Sequence, residues 1–190
     1  MKIMSIFGVV KIVLMGDFAT GKTTLKRSFM GMHLDERYMS TLGVDLATYN
    51  HQDEDMTIKY QIWDLGGQAE FVEIRKKQYK GAEGGLLVFD KSRDFTFENL
   101  DIWLDEINSS IDQSVYLVIL GNKDDLVSEE VNREWDEKAS KYIKDNISTY
   151  PNIKLIGYFS TCALHGSNVE RAFVKIGREI IKRKSDQMSI

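Results

Sequence analysis

GDFATGKT, residues 16–23, places two glycines with four residues between them directly before a lysine and a threonine. A run of apolar and β-branched residues, 9–15, precedes it, and a helix-length stretch follows. This order of strand, glycine-rich loop and helix is typical of a phosphate-binding loop, because glycines let backbone amides turn inward and the helix adds its positive amino end. A chance glycine-rich turn is the alternative, and the order of the flanking elements disfavours it.

Lys22 and Thr23 give this loop its chemistry. The Lys22 ammonium is expected to reach the β and γ phosphates of a nucleotide, and the Thr23 hydroxyl to bind Mg²⁺, which prefers octahedral oxygen ligation. The residues predicted to surround the phosphates are Gly16, Asp17, Phe18, Ala19, Thr20, Gly21, Lys22, Thr23 and Thr24.

A second string, NKDD at residues 122–125, predicts which base is bound. It follows the apolar run 115–120, so it is expected at the carboxyl end of a sheet strand, where such sheets bind ligands. The Asp125 carboxylate can accept two hydrogen bonds from the N1–H and N2 amino groups of guanine, whereas adenine has no such donor pair. Lys123 can cover the base with its aliphatic stem, and Asn122 can tie this loop to the phosphate loop. Alone the string would be a solvated turn; after a phosphate loop, guanine binding is favoured.

The alternation of short β-branched runs with amphipathic stretches predicts an α/β fold with a parallel sheet. Runs 44–49 and 57–63 are joined only by a polar turn and are expected to form an antiparallel hairpin at one edge. The prediction is one domain over residues 1–190, with a six-stranded, mostly parallel sheet and about five helices. The remaining strands are predicted at 9–15, 85–89, 115–120 and 153–159, and the apolar face of the last helix at Val169, Ala172, Phe173, Ile176 and Ile180.

Composition excludes several other classes of protein. The 190 residues are 43% hydrophobic, enough for one buried core. With 25 basic and 29 acidic residues the net charge is -4, which gives no footprint for nucleic acid. The single cysteine, Cys162, indicates a reducing, cytoplasmic compartment.

Two further absences shape the prediction. The sequence has no glycine after Met1 for myristoylation and no cysteine in residues 185–190 for prenylation, so no encoded lipid anchor is expected. The three histidines, His33, His51 and His165, are widely separated, so they are interpreted as loop or surface residues and no zinc site is predicted.

From residue 11 to residue 180 these motifs occur in the order found in small GTPases, and the chain resembles a Ras-superfamily G domain. The resemblance implies a switch that binds GTP and GDP with Mg²⁺ and hydrolyses GTP slowly. Thr41 matches the first switch threonine, which binds magnesium and senses the γ phosphate. The string DLGGQ matches the second switch: Asp64 would hold magnesium through water, the Gly67 amide would contact the γ phosphate, and Gln68 would orient the attacking water.

The resemblance therefore implies four sets of site residues. The base-binding turn would be Cys162-Ala163-Leu164, with the Ala163 amide at the guanine O6. Effectors, an exchange factor and an activating protein would bind through residues 35–48 and 63–80. The implied catalytic residues are Gln68, Lys22, Thr41 and Gly67, and the implied metal ligands are Thr23, Thr41 and Asp64.

Several positions depart from the family pattern. Phe18 stands where glycine is common and is predicted to crowd an incoming arginine finger; the alternative is a ring that points away from the phosphates, packs on neighbouring switch residues and leaves the path of the finger open. Leu34 and Leu164 stand where other members stack an aromatic or a lysine on the base, which predicts lower nucleotide affinity. Segment 126–161 is longer than the family pattern, so 131–146 is expected to form an enlarged helix or an added loop. These departures keep open a second function, a non-switching, hydrolysis-deficient scaffold; a metabolic P-loop kinase is disfavoured by NKDD and DLGGQ.

The subfamily stays open at this point. The double threonine of the phosphate loop and the string WDLGGQ resemble Arf-like proteins, whereas TLGVD resembles Rab-like ones. Two single residues, Trp63 and Cys162, each allow two interpretations. Alternation along the strand predicts an exposed Trp63 that either anchors a partner or is covered by a switch or loop. Cys162 is either a redox-sensitive thiol or a packing residue, and packing is favoured.

Overall fold

The computed structural model describes residues 6–34, 41–53, 56–146 and 148–188. The described strands form one six-stranded sheet of order β2-β3-β1-β4-β5-β6. All neighbouring strands are parallel except β2 and β3, which pair as an antiparallel hairpin at the edge. The predicted sheet and its antiparallel edge strand are therefore confirmed. The strands are β1 Ile6–Met15, β2 Val44–Asp53, β3 Met56–Leu65, β4 Gly84–Asp90, β5 Val115–Asn122 and β6 Ile153–Thr161.

Helices connect and cover these strands. In the described part of the chain they are five when α3 and α4, separated only by Asn99, are counted together, as predicted. None of these helices combines the length and the apolar character that crossing a membrane requires. The helices are α1 Lys22–Phe29, α2 Val72–Tyr79, α3 Phe95–Glu98, α4 Leu100–Asn108, α5 Glu129–Asn146 and α6 Val169–Met188.

The sheet is buried on both faces, as its continuous apolar strands require. In β1, Val13 and Met15 face one layer, which includes Trp103 of α4 and Trp135 of α5. Ile12 and its alternate neighbours face the other layer, formed with α1 and α6. All five apolar residues predicted for the last helix are buried there. Helix α5 accounts for the longer segment 126–161, as an enlarged helix rather than an added loop.

The structure favours one alternative for Trp63 and contradicts one prediction for a histidine. Trp63 is half-buried: its ring packs against the core, and Lys11 Nζ lies 4.5 Å from the ring centroid, so the covered ring is favoured over the exposed anchor. His51 is buried at 9% exposure, with its ring centroid 5.3 Å from that of Phe29, so it is not a surface residue. Strand alternation did not reveal either environment, because each depends on side chains from other elements.

The strand directions place the motifs at one edge of the sheet. The phosphate loop follows β1, Asp64 lies near the end of β3, and the base-reading string begins at the end of β5. The turn at Cys162 follows β6 directly. Because carboxyl ends of parallel strands meet at the same edge, motifs more than a hundred residues apart form one site.

Candidate functional site

Both glycines of the phosphate loop are required by the backbone. Gly16 has φ 133° and Gly21 has φ 98°, conformations that L side chains rarely adopt. A Cβ atom on Gly16 would lie 2.1 Å from the Val88 carbonyl oxygen, and one on Gly21 would lie 2.2 Å from Asn122 Nδ2. The loop therefore packs tightly between β4 and the base-reading string, with helix α1 starting directly after it.

Lys22 is held over this loop. It is 6% exposed, and its Nζ donates to the carbonyl oxygens of Gly16 and Asp17, each at 2.7 Å. Burial lowers the pKa of Lys22 to about 8, against the opposing influence of Asp64 and Asp17. A buried ammonium beside a glycine-rich loop is a suitable partner for phosphate oxygens.

Three oxygen-bearing side chains predicted as metal ligands lie together beside Lys22. Thr23 Oγ1 donates to Asp64 Oδ2 at 2.6 Å and lies 2.8 Å from Thr41 Oγ1. Asp64 is fully buried, and among the described residues its Oδ1 has no hydrogen-bond partner. A buried carboxylate oxygen without a donor, next to two hydroxyls, fits a hard cation and its waters.

A lysine that sequence reasoning missed joins this group. Lys26 lies one turn after Thr23 in α1, and its Nζ is 3.1 Å from Asp64 Oδ2 and 2.5 Å from Asp45 Oδ2. The available signal was the spacing: residues three apart in a helix share a face, so Lys26 faces the same side as Thr23.

The second switch lies directly against the phosphate loop. A Cβ atom on Gly67 would approach the Asp17 carbonyl carbon and the Phe18 nitrogen to 2.5 Å each, so only glycine fits there. The next residue, Gln68, is half-buried, and its Oε1 has no hydrogen-bond partner among the described residues. This position is suited to an amide that orients a water molecule.

Arg75 of α2, also missed from the sequence, fixes this switch. Its Nη1 donates to the carbonyl oxygens of Gly66 at 2.9 Å and Gln68 at 2.7 Å. Its Nε and Nη2 donate to the two carboxylate oxygens of Glu106 at 2.8 and 2.7 Å. Tyr79 also donates to Glu106, and burial together with Glu106 raises the pKa of that phenol. A bidentate, buried ion pair of this kind fixes the orientation of the Arg75 guanidinium.

The side chain of Asp17 anchors the phosphate loop to α4. One carboxylate oxygen accepts from Trp103 Nε1 and the other from Asn99 Nδ2, both at 2.7 Å. The Trp103 ring is in turn covered by the Arg75 guanidinium at 4.5 Å from its centroid. The phosphate loop and the second switch are thus connected through one tryptophan.

Phe18, in the phosphate loop, has 40% of its surface exposed. Its carbonyl oxygen accepts from Arg93 Nη2 at 3.0 Å, and Arg93 Nε donates to Asp90 Oδ2 at 2.8 Å. Lys123 Nζ also contacts Asp90 Oδ2, at 2.7 Å. Burial would raise the pKa of Asp90, but hydrogen bonds from Lys123, Ser92 and Arg93 outweigh it and lower that pKa. Asp90 therefore links the phosphate side to the base side.

Asn122 provides the link that the sequence predicted. It is 1% exposed, and its Nδ2 donates to the Thr20 carbonyl oxygen at 2.8 Å. Its Oδ1 accepts from the Ala163 amide at 3.1 Å and from the Thr161 hydroxyl at 3.2 Å. The phosphate loop, the base-reading string and the last turn are thereby held together by one side chain.

The groups that would read the base are more open. Asp125 is exposed, and its Oδ1 accepts from the Cys162 thiol at 3.1 Å. Leu164 is 62% exposed, and Leu34 is half-buried. The remaining predicted phosphate-loop residues, Ala19 at φ 61°, buried Thr20 and half-buried Thr24, lie within the same loop and the first turn of α1.

Cys162 is 1% exposed, and its Sγ lies 3.2 Å from His165 Nδ1. Burial, then the hydrogen bond to Asp125, raises the pKa of the thiol, which favours the packing interpretation and adds a role in orienting Asp125. Ligand atoms of Asp125, Cys162 and His165 lie within 4.8 Å of one another, a grouping that the spacing of the histidines did not predict.

Of the predicted partner segment 35–48, residues 35–40 lie outside the described residues.

Comparison with known proteins agrees with this geometry. A family model described as the Ras family matches residues 11–182. The chain is 34% identical over 177 residues to Ras-related protein rab-11.1 of Caenorhabditis elegans, covering 93% of this chain and 79% of that protein. It is 37% identical over 177 residues to Ras-related protein RABA6b of Arabidopsis thaliana, covering 92% and 73%. Ras-related protein Rab11B of Nicotiana tabacum is 36% identical over 172 residues, covering 90% and 75%. Of the two subfamilies that the sequence resembles, these relatives favour the Rab-like one.

Proposed function

This chain belongs to the Ras family of small GTPases, and from that premise we propose that it is a guanine-nucleotide-dependent switch. It binds GTP and GDP with Mg²⁺, hydrolyses GTP slowly and recruits protein effectors in the GTP state. The observation that carries the proposal is the position of Asn122, which joins the phosphate loop at Thr20 to the base turn at Ala163. A single ligand with a polyphosphate and a guanine would span both.

The metal site follows from the buried oxygen cluster. Thr23, Thr41 and Asp64 would hold Mg²⁺, with Asp64 acting through water, and the orphaned Asp64 Oδ1 supports this assignment. When bound, the ion would supply positive charge that offsets the negative charge of the phosphates. The Lys22 ammonium would place a positive charge of the protein beside the same phosphates.

Hydrolysis is assigned to the second switch. Gln68 would orient the attacking water, and the Gly67 amide, packed against the phosphate loop, would contact the γ phosphate. Arg75 holds the carbonyl groups on both sides of Gly67 and so positions this segment. Protein partners would read the switch through residues 35–48 and 63–80, and no nucleic acid is involved. The single buried thiol, Cys162, is consistent with a cytoplasmic setting.

The substitution Gln68→Leu tests the switch proposal. We expect single-turnover GTP hydrolysis to fall by about 10²-fold, because the water loses its orienting amide, while GTP affinity stays close to wild type. Hydrolysis would be followed by phosphate release and affinity by calorimetry. Equal hydrolysis rates in both proteins would show that another residue orients the water or that the chain does not hydrolyse GTP.

A GTP-bound scaffold is the second candidate, and the partly exposed phenyl side chain of Phe18 on the phosphate loop supports it. A phenyl ring there competes for the volume that an arginine finger needs, and such a finger contributes about 10³- to 10⁵-fold in rate. We expect Phe18→Gly to be stimulated by a cognate activating protein far more than wild type. Purified wild type that keeps GTP for hours would favour the scaffold; equal stimulation of both proteins would remove the role given to Phe18.

A further inference from the structure

Lys26 is a buried cation beside Thr23, Thr41 and Asp64, the residues proposed to hold Mg²⁺. It is 3% exposed, and its Nζ lies between two carboxylates, 3.1 Å from the fully buried Asp64 and 2.5 Å from Asp45. The Asp45 side chain is 61% exposed. An ammonium removed from water needs such partners, because burial without them is costly. Asp64 is thus the interior partner and Asp45 the solvent-facing one.

Asp64 is shared between this ammonium and the oxygen cluster. Its Oδ2 already accepts from Thr23 and from Lys26, and only Oδ1 is left without a partner among the residues described here. An ion held through Asp64 therefore meets a carboxylate whose charge is partly neutralised. It also meets a fixed positive charge, and like charges close together in a poorly solvated site repel strongly.

We propose that Lys26 is a built-in counter-ion of the magnesium site, which shares Asp64 with Mg²⁺ and so weakens binding of the ion. The Lys26 ammonium then supplies part of the positive charge at the magnesium site permanently. Retention of guanine nucleotide therefore depends less on Mg²⁺. The inference rests on the proposed function, since it assumes that Asp64, Thr23 and Thr41 serve a nucleotide-bound ion.

The test compares wild type with Lys26→Met, which keeps most of the side-chain length and removes the charge. Release of a fluorescent GDP would be followed as free Mg²⁺ is varied with a chelator. We expect the Mg²⁺ concentration that half-maximally slows release to fall about tenfold or more in the variant, a change equivalent to about 1.4 kcal/mol. Calorimetric titration of GDP-loaded protein with Mg²⁺ gives the same comparison without any turnover.

Asp45→Asn is the matched control. It removes the outer partner of Lys26 but leaves the ammonium beside Asp64, so the Mg²⁺ midpoint should stay at the wild-type value or rise. If Asp45→Asn lowers the midpoint as Lys26→Met does, the effect comes from the lost link to β2, and the inference is wrong. Lys26→Arg, which keeps the charge, should resemble wild type.

The outcomes distinguish failure of the inference about Lys26 from failure of the proposed function. Equal midpoints in wild type and Lys26→Met, with GDP bound by both, overturn the inference and leave the proposed function standing. Wild type that binds no guanine nucleotide overturns the proposed function and the inference with it. Should Lys26→Met fail to fold by circular dichroism, Lys26→Gln, with a polar side chain of similar reach, decides the same question by the same midpoint.

Discussion

The phosphate end and the base end of the site differ in how far the side chains that would contact the ligand are buried and held by other residues. At the phosphate end, Lys22 donates to two loop carbonyls and Asp17 accepts from two side chains of the α3–α4 region. At the base end, Asn122, Cys162 and Ala163 are buried, whereas Asp125 and Leu164 are exposed. We infer that the phosphate end is organised before the ligand arrives and supplies most of the affinity, whereas the base end is completed by the ligand and supplies selectivity.

The largest effect is expected at the phosphate end. Lys22→Ala removes a buried ammonium that the phosphates would require, and loss of one partner of a buried charge interaction costs about 4 kcal/mol. GDP affinity should therefore fall by about three orders of magnitude in calorimetry. Lys76→Ala, which removes a more exposed lysine of α2, should bind like wild type. Near wild-type affinity of Lys22→Ala would mean that the ordered loop alone holds the ligand.

Asp125→Asn tests the base end. It should weaken GTP binding by about 2 to 4 kcal/mol, because two hydrogen bonds to guanine are lost, and allow xanthine nucleotide, whose extra carbonyl accepts from the new amide. Competition between GTP and XTP measures the change in preference. Asp124→Asn, at the neighbouring residue whose carboxylate accepts from Ser160, is the control. Unchanged guanine preference of Asp125→Asn would show that the base is read elsewhere.

Arg75→Lys tests how the second switch is positioned at the phosphate end. Lysine keeps the charge but cannot hold both Glu106 oxygens and the carbonyls of Gly66 and Gln68. We expect hydrolysis to fall about tenfold, which is about 1.4 kcal/mol, while GDP affinity stays near wild type. Arg171→Lys on the exposed face of α6 is the control. A parallel fall in GDP affinity would indicate general loss of structure rather than loss of positioning.

The sequence predicted those parts of the site whose chemistry is local. The phosphate loop and the base-reading string are short runs in which residue type and spacing carry the function, and both flank strands that periodicity identifies. The sheet was predictable for the same reason. Only a short polar stretch separates the runs that form β2 and β3, and the other strand-forming runs alternate with helix-length stretches.

Each missed residue forms a buried ion pair with a residue far away in the sequence. Arg75 and Glu106 are 31 residues apart, and Lys26 and Asp64 are 38 apart. A charged residue in an amphipathic helix is normally interpreted as solvent-facing, so burial of these groups is visible only once the elements are packed. The same reason explains why the sequence does not predict the burial of His51 or the packing of Trp63 against the core.

The smallest expected effect concerns Leu164, which leaves the base end open. Its side chain is 62% exposed at the turn after β6, and a lysine there would lay its aliphatic stem over the base while the ammonium stayed in water. Covering a planar base in this way should add about 0.5 to 1 kcal/mol, so Leu164→Lys should lower the Kd for GDP about two- to fivefold. Leu126→Lys changes another exposed leucine, in the turn after Asp125, and controls for the added positive charge. An equal gain in both variants would assign the effect to long-range attraction of the phosphates. A gain in Leu164→Lys alone would show that the exposed base end, rather than the ordered phosphate end, limits the affinity of this protein.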